Sequence, residues 1–257
     1  RSAGLEVQAE PKITETALSL LEEVSGKARR VYKQKSGKIV ANTKALKPPA
    51  YYRLDEMDGI VVEDHTDNNN NAFLEKGIAH FLTGPEAFNV NDEENRAIHF
   101  NGGRLATGFS NLKTDYSVSF WVWNGFPNGE RDITAWIFSR GNKDSLANGD
   151  HLAINKDGFL SFQKSSNNSA LIVGKTEIKR WTWTHISMTR KGETVSLYLN
   201  GKLEAKGNAS IDFPSRFNQL YFGGRSDNKH FFEGRIDEVA IFDKALSSED
   251  IKTLAGK

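Results

Sequence analysis

The sequence contains no cysteine in 257 residues, and this absence excludes several kinds of chemistry. Disulfide bonds, thiolate nucleophiles and cysteine-ligated zinc all require the missing thiol. Methionine and proline are also scarce, at 2 and 6 residues, and the six histidines show no metal-binding spacing. The chain therefore offers neither a methionine-rich surface nor a proline-rich linker.

Long apolar runs are absent too, since no stretch approaches the ~20 residues needed to span a bilayer. The net charge is +1, so we expect neither nucleic acid nor insertion into a membrane. The charge is uneven, because residues 1–47 carry 10 basic and 5 acidic residues and the remainder carries 24 and 28. No signal peptide is visible and the chain opens without methionine, so we interpret it as a mature or excised fragment of a longer protein. The lack of cysteine is compatible with an exported bacterial protein, and we expect the parent protein to be secreted, periplasmic or on the cell surface.

Aromatic residues are plentiful at 11%, including 16 Phe and 5 Trp, and many lie in alternating patterns. In residues 116–123, Val118, Phe120 and Val122 alternate with polar or aromatic residues, which is typical of half-buried strands. The dipeptides Asp157-Gly158 and Asn200-Gly201 predict hairpin turns between such strands. These features predict an all-β, two-sheet antiparallel sandwich.

The first 47 residues follow a different pattern. Apolar residues form one helical stripe within residues 13–31, at Ile13, Ala17, Leu21, Val24, Ala28 and Val31. Residues 36–49 are predicted to be a linker. We therefore divide the chain into a helical connector and linker (1–47) and a β-domain (48–257), with the stripe expected to contact another domain of the parent protein.

Several segments of the β-domain, taken in order, resemble the laminin G-like jelly roll of the concanavalin A-like lectin/glucanase superfamily. The most specific are the YLNGK turn (198–202) and the ending IDEVAIFDKALS (236–247). The others are YYRLDEMDG (51–59), EDHTDNNNNA (63–72), AIHFNGG (97–103), YSVSFWVW (116–123), WIFSRGN (136–142), HLAINKDGFLSF (151–162) and LYFGGR (220–225). The resemblance implies a jelly-roll fold whose members mostly bind rather than catalyse.

The acidic pair Asp237 and Glu238 lies inside a strand that otherwise has core character, and burying an unpaired carboxylate is costly. A bound cation or a tethered chain end would compensate that cost. In related modules an early acidic loop and this strand meet around a structural calcium ion, which prefers oxygen ligands. The resemblance therefore implies a calcium site; its candidate ligands are Asp64, Asn68, Asn70 and Asp237, with Asp67 as a further one. The alternative is an Asx-rich surface turn, with Asp237 paired to Arg235.

A second candidate site concerns carbohydrate, because sugar rings stack on flat aromatic side chains. Trp121 and Trp123 share the strand face opposite Val118 and Phe120. Loop residues at the rim positions where related modules often hold ligands are Arg140, Asn142, Arg225, Asp227 and His230. The alternative for each is ordinary core packing or a polar loop.

Catalytic alternatives find little support. Laminarinase-like relatives carry acids at alternate positions of one strand, and Asp237, Glu238 and Asp243 do not have that alternation. Nucleophile elbows, phosphate loops and zinc helix motifs are absent from the sequence. We therefore expect a non-catalytic, lectin-like carbohydrate-binding module braced by structural calcium. A protein-interaction or spacer domain is the second hypothesis, and a divergent polysaccharide hydrolase or lyase the third.

Overall fold

Strands dominate this chain because its β-branched and aromatic residues alternate with polar ones, which suits pleated surfaces. The computed structural model describes residues 34–109, 111–130, 135–142, 145–164, 170–211 and 219–257. Within them the strands are β1 Ala50–Tyr52, β2 Val61–Val62, β3 Ala72–Leu74, β4 Ile78–Thr83, β5 Arg96–Asn101, β6 Leu105–Ala106, β7 Tyr116–Asn124, β8 Ala135–Asn142, β9 Ser145–Ile154, β10 Phe159–Gln163, β11 Ile172–Glu177, β12 Trp183–Lys191, β13 Thr194–Leu199, β14 Lys202–Asn208, β15 Gln219–Phe222 and β16 Glu233–Phe242. The helices are α1 Lys38–Ala45 and α2 Ser248–Leu254, with a 3-10 turn at Glu86–Phe88.

The strands form two sheets of eight. Sheet A has the order β14-β13-β12-β7-β16-β5-β4, with β1 also paired to β16, and sheet B has the order β11-β10-β9-β8-β15-β6-β3-β2. The pairings between these strands are antiparallel. The predicted all-β sandwich of the jelly-roll type is thereby confirmed.

The main core lies between the two sheets. Val118, Phe120 and Val122 of β7 point into it, as the alternation predicts. From sheet B the core receives Phe138 and Phe222, whose ring centroids lie 5.2 Å apart. Phe120 crosses to Phe222 at 5.1 Å, so an aromatic contact joins the sheets at their centre.

The predicted turns are present. Asn200 and Gly201 both have positive φ, 49° and 80°, which is the requirement of a two-residue type I′ hairpin between β13 and β14. Gly158, at φ 80°, turns the chain between β9 and β10. Helix α2 is capped at its N-terminus by Ser247, which forms a reciprocal capping box with Asp250.

One buried ionic network links the sheets at the end of the core. Arg190 of β12 donates from Nε and Nη2 to the two carboxylate oxygens of Asp150 of β9, each at 2.7 Å. The Tyr116 hydroxyl on β7 donates to the same carboxylate at 2.7 Å. Both charged side chains are fully buried, so each supplies the counter-charge of the other.

A second, smaller core covers part of the outer face of sheet A, the face turned away from sheet B. Side chains from both helices, the 3-10 turn and the sheet meet there, namely Val40, Tyr51, Phe88, Trp121, Tyr198, Ala240, Phe242, Leu246, Ile251 and Leu254. The segment predicted to be a linker, 36–49, is therefore not irregular throughout. It contains α1. The polar sequence of this helix gives it little stability of its own, and the burial of Val40 stabilises it.

The helical stripe predicted over residues 13–31 lies outside the described residues and remains a prediction. In the part of the chain that the structure describes, no helix is long and apolar enough to cross a membrane.

Candidate functional site

Four side chains form a row across the open part of the outer face of sheet A. Trp183 of β12 lies opposite Trp123 of β7, and Trp123 lies opposite Arg235 of β16. Arg235 in turn lies opposite His99 of β5. Residues directly opposite one another in antiparallel strands point to the same face, and all four are partly exposed. We call these residues the tryptophan row.

The row lies where the second core ends. Trp121 belongs to that core and is buried, with its ring 5.8 Å from Phe88 in an edge contact. Trp183 packs against the margin of the same core. Trp123 follows Trp121 by two residues on the same face but is outside the second core. Its ring therefore remains partly accessible to solvent.

Arg235 holds the Trp123 ring in place. Its guanidinium carbon lies 4.6 Å from the ring centroid, within the range of a cation–π contact. Nη1 of the same group donates to the carbonyl of Thr83 at 2.8 Å. A ring fixed in this way loses little conformational entropy when a ligand binds to it.

Trp181, in the loop before β12, lies beside the row and is the most exposed of the tryptophans that the structure describes, at 61%. Its φ is 60°, a left-handed conformation that is costly for a bulky residue. The backbone N–H of Trp181 donates to the Asn124 carbonyl at 2.8 Å. The guanidinium carbon of Arg180 lies 4.2 Å from the centroid of the Trp181 indole. Nε of Arg180 donates to the Gly125 carbonyl at 3.1 Å, so the loop is held at the end of β7.

Electrostatics on the row are positive. Arg235 and Arg180 both contribute a positively charged guanidinium group. Partial burial lowers the pKa of His99, and the nearby Arg235 lowers it further, so His99 is mainly neutral. Glu233 lies two residues before Arg235 on the same strand face. Its negative charge raises the pKa of His99 and so opposes these two effects.

The residues predicted to bind carbohydrate do not form one site. Arg140 is buried on the core side of sheet B, where it donates to the carbonyls of Leu112 and Lys113 at 2.8 and 3.0 Å. Trp121 is buried in the second core, whereas Trp123 is in the row. The side chain of Asn142 lies outside the described part of the chain.

Arg225, Asp227 and His230 do share one turn, between β15 and β16. Arg225 donates to both carboxylate oxygens of Asp227, at 2.7 and 3.0 Å, and lies 5.1 Å from the Trp136 ring. The ion pair lowers the pKa of Asp227, although burial opposes this shift. Because each charge has a partner and Arg225 is buried, this turn has a structural explanation without a ligand.

The candidate calcium ligands are placed in two separate environments. The Asp64 carboxylate accepts hydrogen bonds from the N–H groups of Tyr51, Thr66 and Asn70 and from the Thr66 hydroxyl, at 2.8 to 3.0 Å. Four donors occupy all of its lone-pair positions. The amides of Asn68 and Asn70 donate to the Pro49 carbonyl at 3.1 and 2.8 Å. Within the described residues, Asp64 and Asp237 have no hydrogen-bond partner in common.

Asp237 and Glu238 are buried beneath the second core at a break in strand register. Glu238 has φ 50°, and the pairing of β16 with β7 shifts between Asp237 and Ala240, so Glu238 is a bulge residue. Asp237 accepts a hydrogen bond from the Asn95 amide, and burial raises the pKa of Asp237. Oδ1 of Asp237 and Oδ1 of Asn95 are both buried without a hydrogen-bond partner.

Glu238 has a different set of partners. The Tyr51 hydroxyl and Nε of Arg53 donate to its carboxylate, the latter at 3.2 Å. Burial raises the pKa of Glu238 to about 7, while Arg53 opposes the shift. Arg53 also donates to the Gln34 carbonyl at 3.0 Å, so Glu238 helps to hold the segment that precedes α1.

The sequence analysis did not identify Trp181, Trp183, Arg180, Arg235 or His99 as site residues. A signal was present for two of them, because Trp181 and Trp183 are separated by one residue, as Trp121 and Trp123 are. The meeting of β12, β7, β16 and β5 depends on register between distant segments, and no local pattern reveals it.

Comparison with known proteins gives one family and several similar structures. A laminin G family model, described as the concanavalin A-like lectin/glucanases superfamily, matches residues 94–252. None of the curated protein sequences matches the chain.

Among solved structures, domain 4 of AbnA, a GH43 extracellular arabinanase from Geobacillus stearothermophilus in complex with arabinotriose, is 24% identical with a TM-score of 0.60. The match covers 81% of this chain and 98% of that domain. The binding domain of Paraclostridial mosquitocidal protein 1 is 18% identical with a TM-score of 0.58, covering 81% of this chain and 51% of that one. A Trypanosoma rangeli sialidase is 15% identical with a TM-score of 0.58, covering 80% and 32%. At these identities the similarities establish the fold.

Proposed function

Because the chain belongs to the concanavalin A-like lectin/glucanase superfamily, we propose that it is a non-catalytic carbohydrate-binding module of a larger exported bacterial protein. The tryptophan row, with Trp181 beside it, is the observation that carries this proposal. It offers partly exposed indole rings held in place by cation–π contacts and backbone hydrogen bonds. Sugar rings bind to such surfaces by stacking, with polar groups nearby to fix their orientation.

Two further observations support binding over catalysis. The acidic pair Asp237 and Glu238 is buried and hydrogen-bonded to Asn95, Tyr51 and Arg53, so it is positioned for structure and not for attack on a substrate. The arabinanase domain with the same fold was solved with arabinotriose bound. A binding role for the present chain is consistent with that relative.

We also propose a structural calcium ion, but at Asp237 and not between Asp237 and Asp64. Oδ1 of Asp237 and Oδ1 of Asn95 have no hydrogen-bond partner and would supply two of the six to eight oxygens that calcium takes, whereas four donors already saturate the Asp64 carboxylate. Metal analysis and the melting temperature, with calcium and with chelator, test this. Wild-type protein should gain stability with calcium, and Asp237→Asn should not. Equal melting temperatures of the wild type in both conditions would refute the ion.

The function itself is tested on a glycan and polysaccharide array, screened with calcium and with chelator. We expect a specific hit whose affinity falls at least tenfold in Trp183→Ala, with the fold retained. Leu203→Ala is the matched control, because Leu203 is an exposed apolar residue on β14, away from the row. A blank array in both conditions would refute carbohydrate binding and favour a protein-interaction or spacer domain.

A further inference from the structure

The arginines beside the tryptophans differ from most other arginines of the sandwich. Five arginines elsewhere are each paired with a carboxylate: Arg53 with Glu238, Arg96 with Glu94, Arg104 with Glu75, Arg190 with Asp150 and Arg225 with Asp227. Among the described residues, Arg180 and Arg235 have no carboxylate partner. Their protein acceptors are the carbonyls of Gly125 and Thr83.

Donor groups therefore remain on both guanidiniums. Arg180 uses Nε for its carbonyl, so both of its terminal nitrogens lack an acceptor among the described residues. Arg235 uses Nη1, and its Nε is buried without a hydrogen-bond partner, so Nη2 is the nitrogen that it can offer to a ligand. Each guanidinium also lies against an indole ring, at 4.2 Å for Trp181 and 4.6 Å for Trp123. Stacking fixes the plane of each guanidinium, so Arg180 can present both terminal nitrogens to a carboxylate and Arg235 can present one.

We infer that the tryptophan row and the adjoining Trp181 loop bind an acidic glycan, one whose sugar units carry carboxylates, as uronic acids do. This inference rests on the proposed carbohydrate-binding function and names its ligand class. The aromatic rings contact the sugar rings, and Arg180 and Arg235 donate to the carboxylates. Two acids lie on the strand face of Arg235, namely Glu233 and Asp237, and Asp237 is buried and bonded to Asn95.

Pairs of ligands that differ only in the charge of the carboxyl group distinguish recognition of the carboxylate from recognition of the sugar ring. Oligomers of galacturonate, mannuronate and glucuronate are compared with their methyl esters, together with neutral arabinan oligomers, by calorimetry in chelator. Wild-type protein should bind at least one uronate tenfold or more tightly than its ester, a difference of about 1.4 kcal/mol. The preference should shrink at high salt, because screening weakens exposed charge pairs.

Single substitutions test whether Arg180 and Arg235 cause the preference for the acid over its methyl ester. Arg180→Gln and Arg235→Gln should each reduce the preference for the acid over the ester, and Trp183→Ala should weaken binding to both. Lys206→Gln is the control, because Lys206 is on β14, away from the row, and it should change neither. Equal binding of acids and esters, or binding of neutral glycans alone, would overturn the inference and leave the carbohydrate-binding function standing. No binding of any glycan would refute both.

Discussion

Trp181 gives the most specific prediction, because its backbone conformation and its proposed function make opposite demands on the sequence. At φ 60° a residue with a Cβ is strained, and glycine is not. We therefore expect Trp181→Gly to be more stable than Trp181→Ala. In most strands and loops the order is the reverse, since glycine loses more chain entropy on folding.

The magnitude follows from three terms. Both variants lose the covered two-fifths of the indole, roughly 100 Å² of apolar surface and about 2.5 kcal/mol at ~25 cal/mol per Å². Alanine retains the left-handed penalty of about 1–2 kcal/mol, which glycine avoids. Glycine in turn costs about 0.4–1 kcal/mol of additional chain entropy. Taking the middle of each range, the net difference should favour glycine by about 0.8 kcal/mol.

Urea denaturation followed by tryptophan fluorescence measures this difference directly, since both variants have the same four remaining tryptophans. Both should bind glycan at least tenfold more weakly than the wild type. The glycine variant thus recovers part of the stability and none of the affinity. An alanine variant as stable as the glycine variant would refute the left-handed conformation, and unchanged affinity would refute the role of the ring.

Three further predictions concern the framework of the sandwich. Asp150→Ala leaves Arg190 buried without its counter-charge, so it should lower the free energy of unfolding by about 3–5 kcal/mol in urea titrations. The double variant Asp150→Leu, Arg190→Met removes both charges and should lower the free energy of unfolding much less. Burial lowers the pKa of His151 to about 4 and that of His185 to about 3. At these two positions the unfolded chain therefore binds more protons below pH 6.5, and the two histidines contribute a loss of stability as the pH drops from 6.5 towards 4, opposite in sign to the raised carboxyls Asp237 and Glu238. In calorimetric melting, the variant with both changed to Gln should lose less stability than the wild type over this range, and an equal loss in the two proteins would contradict this. Ser247→Ala should destabilise the protein by about 1 kcal/mol through loss of the helix cap, measured by thermal unfolding, and a negligible change would show that the cap is dispensable.

The fold was largely predictable because its signals are local. The alternation around Val118 and Phe120 identifies a strand with one face in the core, and Asn200-Gly201 specifies a tight hairpin by its tolerance of positive φ. The helix α1 was not predictable, since its polar sequence has little intrinsic helical signal. Contacts with distant residues in the second core stabilise it.

The candidate site was less predictable than the fold, for a physical reason. Trp123 was identified from its alternation, but its accessibility depends on where the helical cover ends. Its partners Trp183 and Arg235 are 60 and 112 residues away in sequence and meet it only through sheet register. The bulge at Glu238, which turns two adjacent acids towards separate partners, is likewise a property of the assembled sheet.

The five tryptophans make one measurement especially direct, because each indole N–H gives its own signal in a nitrogen–proton NMR spectrum. A glycan identified on the array is titrated into labelled protein, with the signals assigned by Trp→Phe variants. The account predicts that the signals of Trp123, Trp181 and Trp183 shift together with the binding curve, while those of the buried Trp121 and Trp136 stay in place. Shifts confined to Trp136, beside the Arg225 turn, or shifts in none of the five, would contradict the tryptophan row as the binding surface.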